Sequence, residues 1–363
     1  MLAFRYISYH YLKYFFVILT ALVLFFVGFD YMGQADKLSD SANLVLIYLV
    51  YKSFFAIDTL VPLSLIFAMI ATKIYLIRSN ALVSFYSLGY SRIDVLKPFV
   101  VVSAFVTFIF ISLHSSSSFS RAEEFSGNIK RNAEYLSPTQ DLFFTYRDKY
   151  IYFSKMLPLQ ESAEGIRVFS IKENSLQEVL IAKKAFYSDE SWIIKKADII
   201  KKPKNIGFNS LGMEVESVDE LHILEGFRPK ILDQVYEGKV NFTIGDAIAA
   251  LFLLSDQNIN TRNIQGALYK IFIYPFFVPC LVVIIFFLVP ISPRFLNVSL
   301  FSFMAILASL LTWGVLFMLI ELANNKTISN EVGIITPVVL LFLFALWQWR
   351  KDTFVRKKEA TYK

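Results

Sequence analysis

Pro98-Phe-Val-Val-Val-Ser-Ala-Phe-Val-Thr-Phe-Ile-Phe-Ile-Ser-Leu-His114 runs without a single charge, and the chain changes character completely beyond it. A helix rises ~1.5 Å per residue, so crossing ~30 Å of hydrocarbon takes about 20 mostly apolar residues. The run meets that requirement, with Pro98 suited to a first helical position. On its far side, residues 121–240 hold 18 Lys/Arg and 19 Asp/Glu, whereas the rest of the chain holds 18 and 11. His114 therefore closes the last apolar span before a charge-rich insert at about residues 119–245.

Working outward, two spans precede it, at about Tyr14–Tyr31 and Phe54–Ile77. Leu44–Lys52 either extends the second or lies at the interface. Arg5 and Lys13 before the first span also fit a signal peptide. A retained helix is expected, because no small-x-small cleavage site comes after Phe29-Asp30-Tyr31. Three spans come after the insert, at about Ile264–Val289, Val298–Leu322 and Val332–Trp349. Pro275 and Pro279 should kink or break the fourth. The expected fold is an α-helical integral membrane protein of six transmembrane helices with an inserted all-β domain. Its divisions are 1–118 (three spans), 119–245 (the insert) and 246–363 (a connecting helix, three spans and a basic tail).

Composition agrees. Of 363 residues, 56% are hydrophobic and 18% charged, at a mean hydropathy of +0.52; soluble domains carry about 25% charge. An ordinary cytosolic enzyme and a disordered chain are both excluded. The single cysteine, Cys280, excludes an intrachain disulfide and a multi-thiolate metal site and reads as a packing residue. His10, His114 and His222 are too far apart to form a local ligand motif, and the first two read as rings near span ends. No G-x-x-x-x-G-K-[ST], H-E-x-x-H or G-x-S-x-G occurs, so no catalytic residue, metal or bound cofactor is expected.

The formal charge of +6 records orientation. With the N-terminus inside, the inner segments hold 13 basic residues (Arg5, Lys73, Arg78 and Arg92 among them) against three acidic ones, Asp94, Asp352 and Glu359. The outer segments, insert excluded, hold five basic and eight acidic. By the positive-inside rule both termini are cytoplasmic and the insert is outside. The basic excess lies outside the insert, which argues against nucleic acid as a partner.

Within the insert, Tyr150–Met156, Ile166–Ile171 and Trp192–Ile200 are short β-type runs punctuated by Glu173-Asn-Ser175, Ser188–Ser191 and Pro203-Lys-Asn205. They predict an antiparallel sandwich, jellyroll or half-open barrel. Residues 243–258 predict a short helix with Thr243 as N-cap.

The loop between the second and third spans is Arg78-Ser-Asn-Ala-Leu-Val-Ser-Phe-Tyr-Ser-Leu-Gly-Tyr-Ser-Arg92. Ala81–Ser87 can form a short helix with Leu82, Phe85 and Tyr86 on one face, ended by Gly89. Two readings stay open: a helix lying on the membrane surface, or a knob that docks into a cytoplasmic partner.

This loop resembles the coupling helix of the LptF/LptG family of lipopolysaccharide export permeases. Gly28-Phe-Asp30, the segment Leu268–Phe277 and Pro290-Ile-Ser-Pro-Arg294 are also similar to family features, and so is the order of spans and β domain. The resemblance covers essentially the whole chain. It implies a bacterial inner-membrane subunit that pairs with a second related permease as a heterodimer. A separate cytoplasmic ABC ATPase dimer would hold ATP and Mg²⁺ and bind the coupling helices. A periplasmic β-jellyroll domain would pass lipopolysaccharide to a periplasmic bridge protein, alongside a single-span, membrane-anchored β-jellyroll partner. Coupling residues implied are Ala81, Leu82, Phe85, Tyr86, Gly89, Tyr90 and Arg92. Ala81 stands where family members usually carry an acidic residue, so contact would rest on Leu82, Phe85, Tyr86 and Arg92. The first helix lacks the basic residue some members carry near its outer end, which leaves Lys37 and Lys270 to attract phosphate there.

A cavity for such a lipid must be apolar below and tolerate anions above. Phe25, Phe26, Phe29 and Asp30 on the first helix and Trp313, Leu316 and Phe317 on the fifth are candidates, although Phe on a membrane helix commonly faces lipid or a neighbour. Alternatives are a permease for another envelope lipid or a lipoprotein, a non-transporting membrane-anchored assembly protein with a β binding domain, and a membrane enzyme acting on lipids.

Overall fold

The computed structural model describes residues 2–38, 41–130, 139–146, 149–157, 161–172, 175–188, 191–203, 212–224, 242–255, 261–288 and 297–361. Two compact units emerge, residues 1–130 with 265–363, and residues 131–264. The described helices within residues 117–130 group with the first unit, and the helix Ile244–Ser255 groups with the second.

The first unit contains α1 (Leu2–Gln34), α2 (Ala42–Arg78), α3 (Ala81–Ser87), α4 (Arg92–Leu113), α5 (Ser117–Ser120) and α6 (Ala122–Lys130). Among the described residues, six helical segments are long and apolar enough to cross a membrane. Leu44–Lys52 does extend the second span, since α2 is one helix of 37 residues. The fourth span is broken as Pro275 predicts. α8 (Arg262–Phe272) gives way to a 3-10 turn at Tyr274–Phe276, and α9 (Phe277–Leu288) resumes with Pro279 in its first turn, where no intrahelical donor is lost. α10 (Val298–Asn324) and α11 (Thr336–Thr361) complete the bundle, joined through a π-helical turn at Glu331–Ile335. There Gly333 is needed for close approach: a Cβ would lie 2.8 Å from that of Ala323.

The core sits where α9 packs against α2, α4 and α11. Nearly every α9 side chain is buried, Phe277, Val278 and Cys280 through Phe286 among them. α1 joins through an i, i+4 stripe of Ala3, Ile7, Tyr11 and Phe15. The Tyr11 hydroxyl donates to the Leu65 carbonyl at 3.0 Å. Past Phe15, only Val27 of α1 is buried.

The second unit holds a six-stranded antiparallel sheet: β1 (Thr139–Tyr146), β2 (Lys149–Leu157), β3 (Ser162–Lys172), β4 (Ser175–Ser188), β5 (Ser191–Lys201) and β6 (Glu214–Ile223). The three β-type runs of the sequence fall in β2, β3 and β5; β1, β4 and β6 are strands that the sequence pattern does not single out. Neighbours in space are neighbours in sequence, so among the described residues the strands form one meander rather than two facing sheets. One register row, Phe144–Ile151–Val168–Leu180, is buried across four strands. The short helix expected at residues 243–258 is α7 (Ile244–Ser255), with the Asp246 amide donating to Thr243 Oγ1 at 3.1 Å. The three turns expected from sequence fall on residues 173–174, 189–190 and 204–205, which lie outside the described residues.

Candidate functional site

The segment from Asn80 to Asp94 is built to hold its shape. Asn80 enters α3 with φ +55°, a left-handed conformation that Asn tolerates. Gly89, at φ +87°, leaves it. The Tyr90 amide donates to the Phe85 carbonyl and the Gly89 amide to the Tyr86 carbonyl, both at 3.1 Å. This is the paired 6→1 and 5→2 closure of a Schellman ending, for which Gly at the left-handed position is favoured. Its apolar contact is also present, with the Phe85 and Tyr90 rings 5.9 Å apart. One residue later a capping box opens α4: the Asp94 amide donates to Ser91 Oγ at 2.9 Å, and the Ser91 amide to Asp94 Oδ2 at 3.1 Å.

α3 therefore presents a fixed face. Leu82 is 0% exposed in the bundle core, with Ala81, Phe85, Tyr86 and Tyr90 partly buried against that core. Phe85 also meets Tyr6 of α1, ring to ring, at 6.1 Å. Outward stand Val83, Ser84, Ser87 and Leu88, the last 74% exposed. Arg92 is half-buried at the start of α4. Of the three residues expected to form the contact face, Leu82 is enclosed by the bundle, whereas Phe85 and Tyr86 keep part of their surface exposed.

Toward the other end of α1 and α2 lies a polar cluster. Lys52 Nζ is 3.0 Å from Asp30 Oδ1, and the Tyr48 hydroxyl donates to the same carboxylate. The ammonium also lies over the Phe26 and Phe55 rings, at 5.5 and 4.9 Å. Nearby on α2, Asp58 Oδ1 is 3.0 Å from His114 Nε2, whose ring packs edge-on to Phe110 and Phe119. Lys52 stands beside the C-terminal part of α1, where Lys37 and Lys270 are the cations expected from the sequence. Lys37 lies in the turn Ala35–Lys37, its side chain outside the described residues. Lys270 is half-buried in the last turn of α8. Sequence reasoning does not join Lys52, Tyr48, Asp58 and His114 into a group. The available signal is the presence of Lys52 and Asp58 beside or within an apolar run, where ionisable side chains are costly unless paired.

The apolar candidates form separate pairs. Phe25 and Phe29 lie 4.4 Å apart, both exposed; Phe26 meets Phe55 at 6.0 Å; Trp313 stacks on Phe317 at 5.8 Å. Leu316 is buried within the bundle core and lines no open surface. The structure does not bring the α1 and α10 groups together by any ring contact among the described residues.

The Asp30–Lys52 pair makes a stability prediction. Lys52→Met leaves a partly buried carboxylate without its cation and should destabilise the protein by about 1–3 kcal/mol. Asp30→Asn with Lys52→Met should recover most of that loss. Thermal unfolding of the detergent-solubilised variants measures both; equal melting of single and double variants would contradict the pairing.

In the second unit, a concavity of about 340 Å³ opens on the sheet, lined by Ile151, Val168, Leu180, Ile199 and Leu221 with Lys149, Glu178 and His222. Among the described residues no group of three His, Cys, Asp or Glu side chains could hold a metal ion.

The family model described as lipopolysaccharide export system permease LptF/LptG matches residues 5–351. No curated protein matches the chain.

Proposed function

Since the chain belongs to the LptF/LptG family of lipopolysaccharide export permeases, we propose that it is one membrane subunit of an exporter driven by ATP hydrolysis on a separate chain. It is a multi-pass membrane protein and a transporter permease rather than an enzyme. In the proposed cycle α3 faces the cytoplasm and docks into an ABC ATPase dimer. A second, related permease completes the cavity. Lipopolysaccharide enters from the outer leaflet of the inner membrane, and the β domain hands it to a periplasmic bridge.

The observation that carries this function is the family match over nearly the whole chain. Three features support the finer assignments. The α3 knob is closed at its C-terminal end by the Schellman pair of hydrogen bonds and bares Val83 and Leu88. An exposed aromatic pair, Phe25 and Phe29, stands on α1, and Phe317 is exposed on α10 beside a partly buried Trp313. The sheet offers a concavity with aliphatic walls, suited to acyl chains.

The test is to purify the chain together with the candidate ATPase and partner permease and to analyse the co-eluting lipid by mass spectrometry. Lipopolysaccharide should be enriched far above its share of the membrane. Bulk phospholipid alone, in an otherwise intact complex, would overturn the assignment.

A further inference from the structure

We propose that Lys73 is a positioning residue that makes α9 move together with the α3 end of α2. It rests on the docking role proposed for α3. By sequence Lys73 falls among the cytoplasmic basic residues, yet it is only 2% exposed, inside the bundle. Its ammonium donates to the main-chain carbonyl of Phe286 and lies 3.9 Å from the centre of the Phe286 ring. Among the described residues no carboxylate pairs with it; the charged group that acts on it is Arg92, another cation.

The partner explains the arrangement. Phe286 is the third residue from the end of α9, so its carbonyl is one of the last four that lack an intrahelical donor. A cation there satisfies that carbonyl and faces the negative end of the helix dipole. A buried lysine paired with a flexible carboxylate would tolerate sliding between helices. One held by a main-chain carbonyl and by the ring of the same residue fixes α9 both along its axis and about it. Lys73 is five residues from Arg78, about 7 Å of helix, and α3 begins at Ala81. α9 in turn is buried on nearly all sides against α2, α4 and α11. Displacement of α3 therefore has a direct route into the helices beyond the β domain.

The experiment uses the whole complex, with partner permease and ATPase, in proteoliposomes. Lys73→Met keeps the volume and removes the donor. It should co-purify the ATPase and hydrolyse ATP at near the wild-type rate, while lipopolysaccharide released per ATP falls about tenfold. Lys73→Arg should restore much of that ratio. An unchanged ratio in Lys73→Met, with the ATPase bound, overturns the role of Lys73 and leaves docking intact. Failure of the ATPase to bind the wild-type chain overturns both. Because Lys73→Met can also fail to accumulate, a second measurement uses exposed positions Arg78 and Leu288 carrying spin labels in an otherwise wild-type chain. Their separation should stay constant between nucleotide-free and transition-state-trapped complexes. A change of more than half a helical turn, about 2.7 Å, overturns the proposal.

Discussion

Replacing Leu88 by glutamate should detach the ATPase proposed to dock on α3 and leave the permease in the membrane. Leu88 caps the crest of α3, is 74% exposed and makes no contribution to the bundle core. Its removal costs the fold little. In a docked complex the same side chain would be desolvated in a partner pocket, the setting in which single residues dominate binding. Losing that burial forfeits about 1.5–3 kcal/mol, and placing a carboxylate in an apolar contact adds a desolvation cost of similar size. Co-purified ATPase should fall at least about 100-fold, the equivalent of ~2.7 kcal/mol. Leu82→Glu is the contrast: at 0% exposure it puts a charge into the core, so the whole protein should be depleted. Wild-type recovery of the ATPase with Leu88→Glu would sink the docking face.

The second large effect belongs to Trp192. It is fully buried at the start of β5, with the Phe153 ring at 5.2 Å and the Tyr187 ring at 5.8 Å. Trp192→Ala removes the largest of the fully buried side chains among the described residues and leaves a cavity beside Phe153 of β2 and Tyr187 of β4. Such truncations cost about 3–5 kcal/mol, a large part of what holds a small domain together. The sheet should become sensitive to limited proteolysis while the spans still insert, and export should fail. Trp192→Phe, which keeps the aromatic contacts, should be much milder. Unchanged protease resistance in Trp192→Ala would show that the sheet does not depend on this core.

Legibility from sequence differs from element to element for physical reasons. The six spans are legible, because a run such as Pro98–His114 has no soluble alternative. α6 is not, since Ala122–Lys130 is charged and short and is held against α2 by tertiary contact. β6 reads Glu214-Val-Glu-Ser-Val-Asp-Glu, too acidic for a strand in isolation, and it is specified by its partner β5. Gly89 is legible as a helix ending because its conformation is local. The inward face of α3 is not. Leu82, Phe85 and Tyr86 make the same pattern whether they bury against their own bundle or against another protein. Asp30 with Lys52, and Lys73 with Phe286, join residues from different helices, and such pairing leaves no periodic trace.

The fixed shape of the segment around α3 has an entropic consequence. A seven-residue helix alone is far too short to persist in water. Here Asn80, the Schellman ending and the capping box at Ser91 hold it in place before any partner arrives. A binding protein is thus spared the ordering of this segment, about 1–2 kcal/mol for each residue that would otherwise have to be fixed. Fast and repeated engagement can then rest on a contact as small as Val83 and Leu88, since little of its free energy is spent on making the shape.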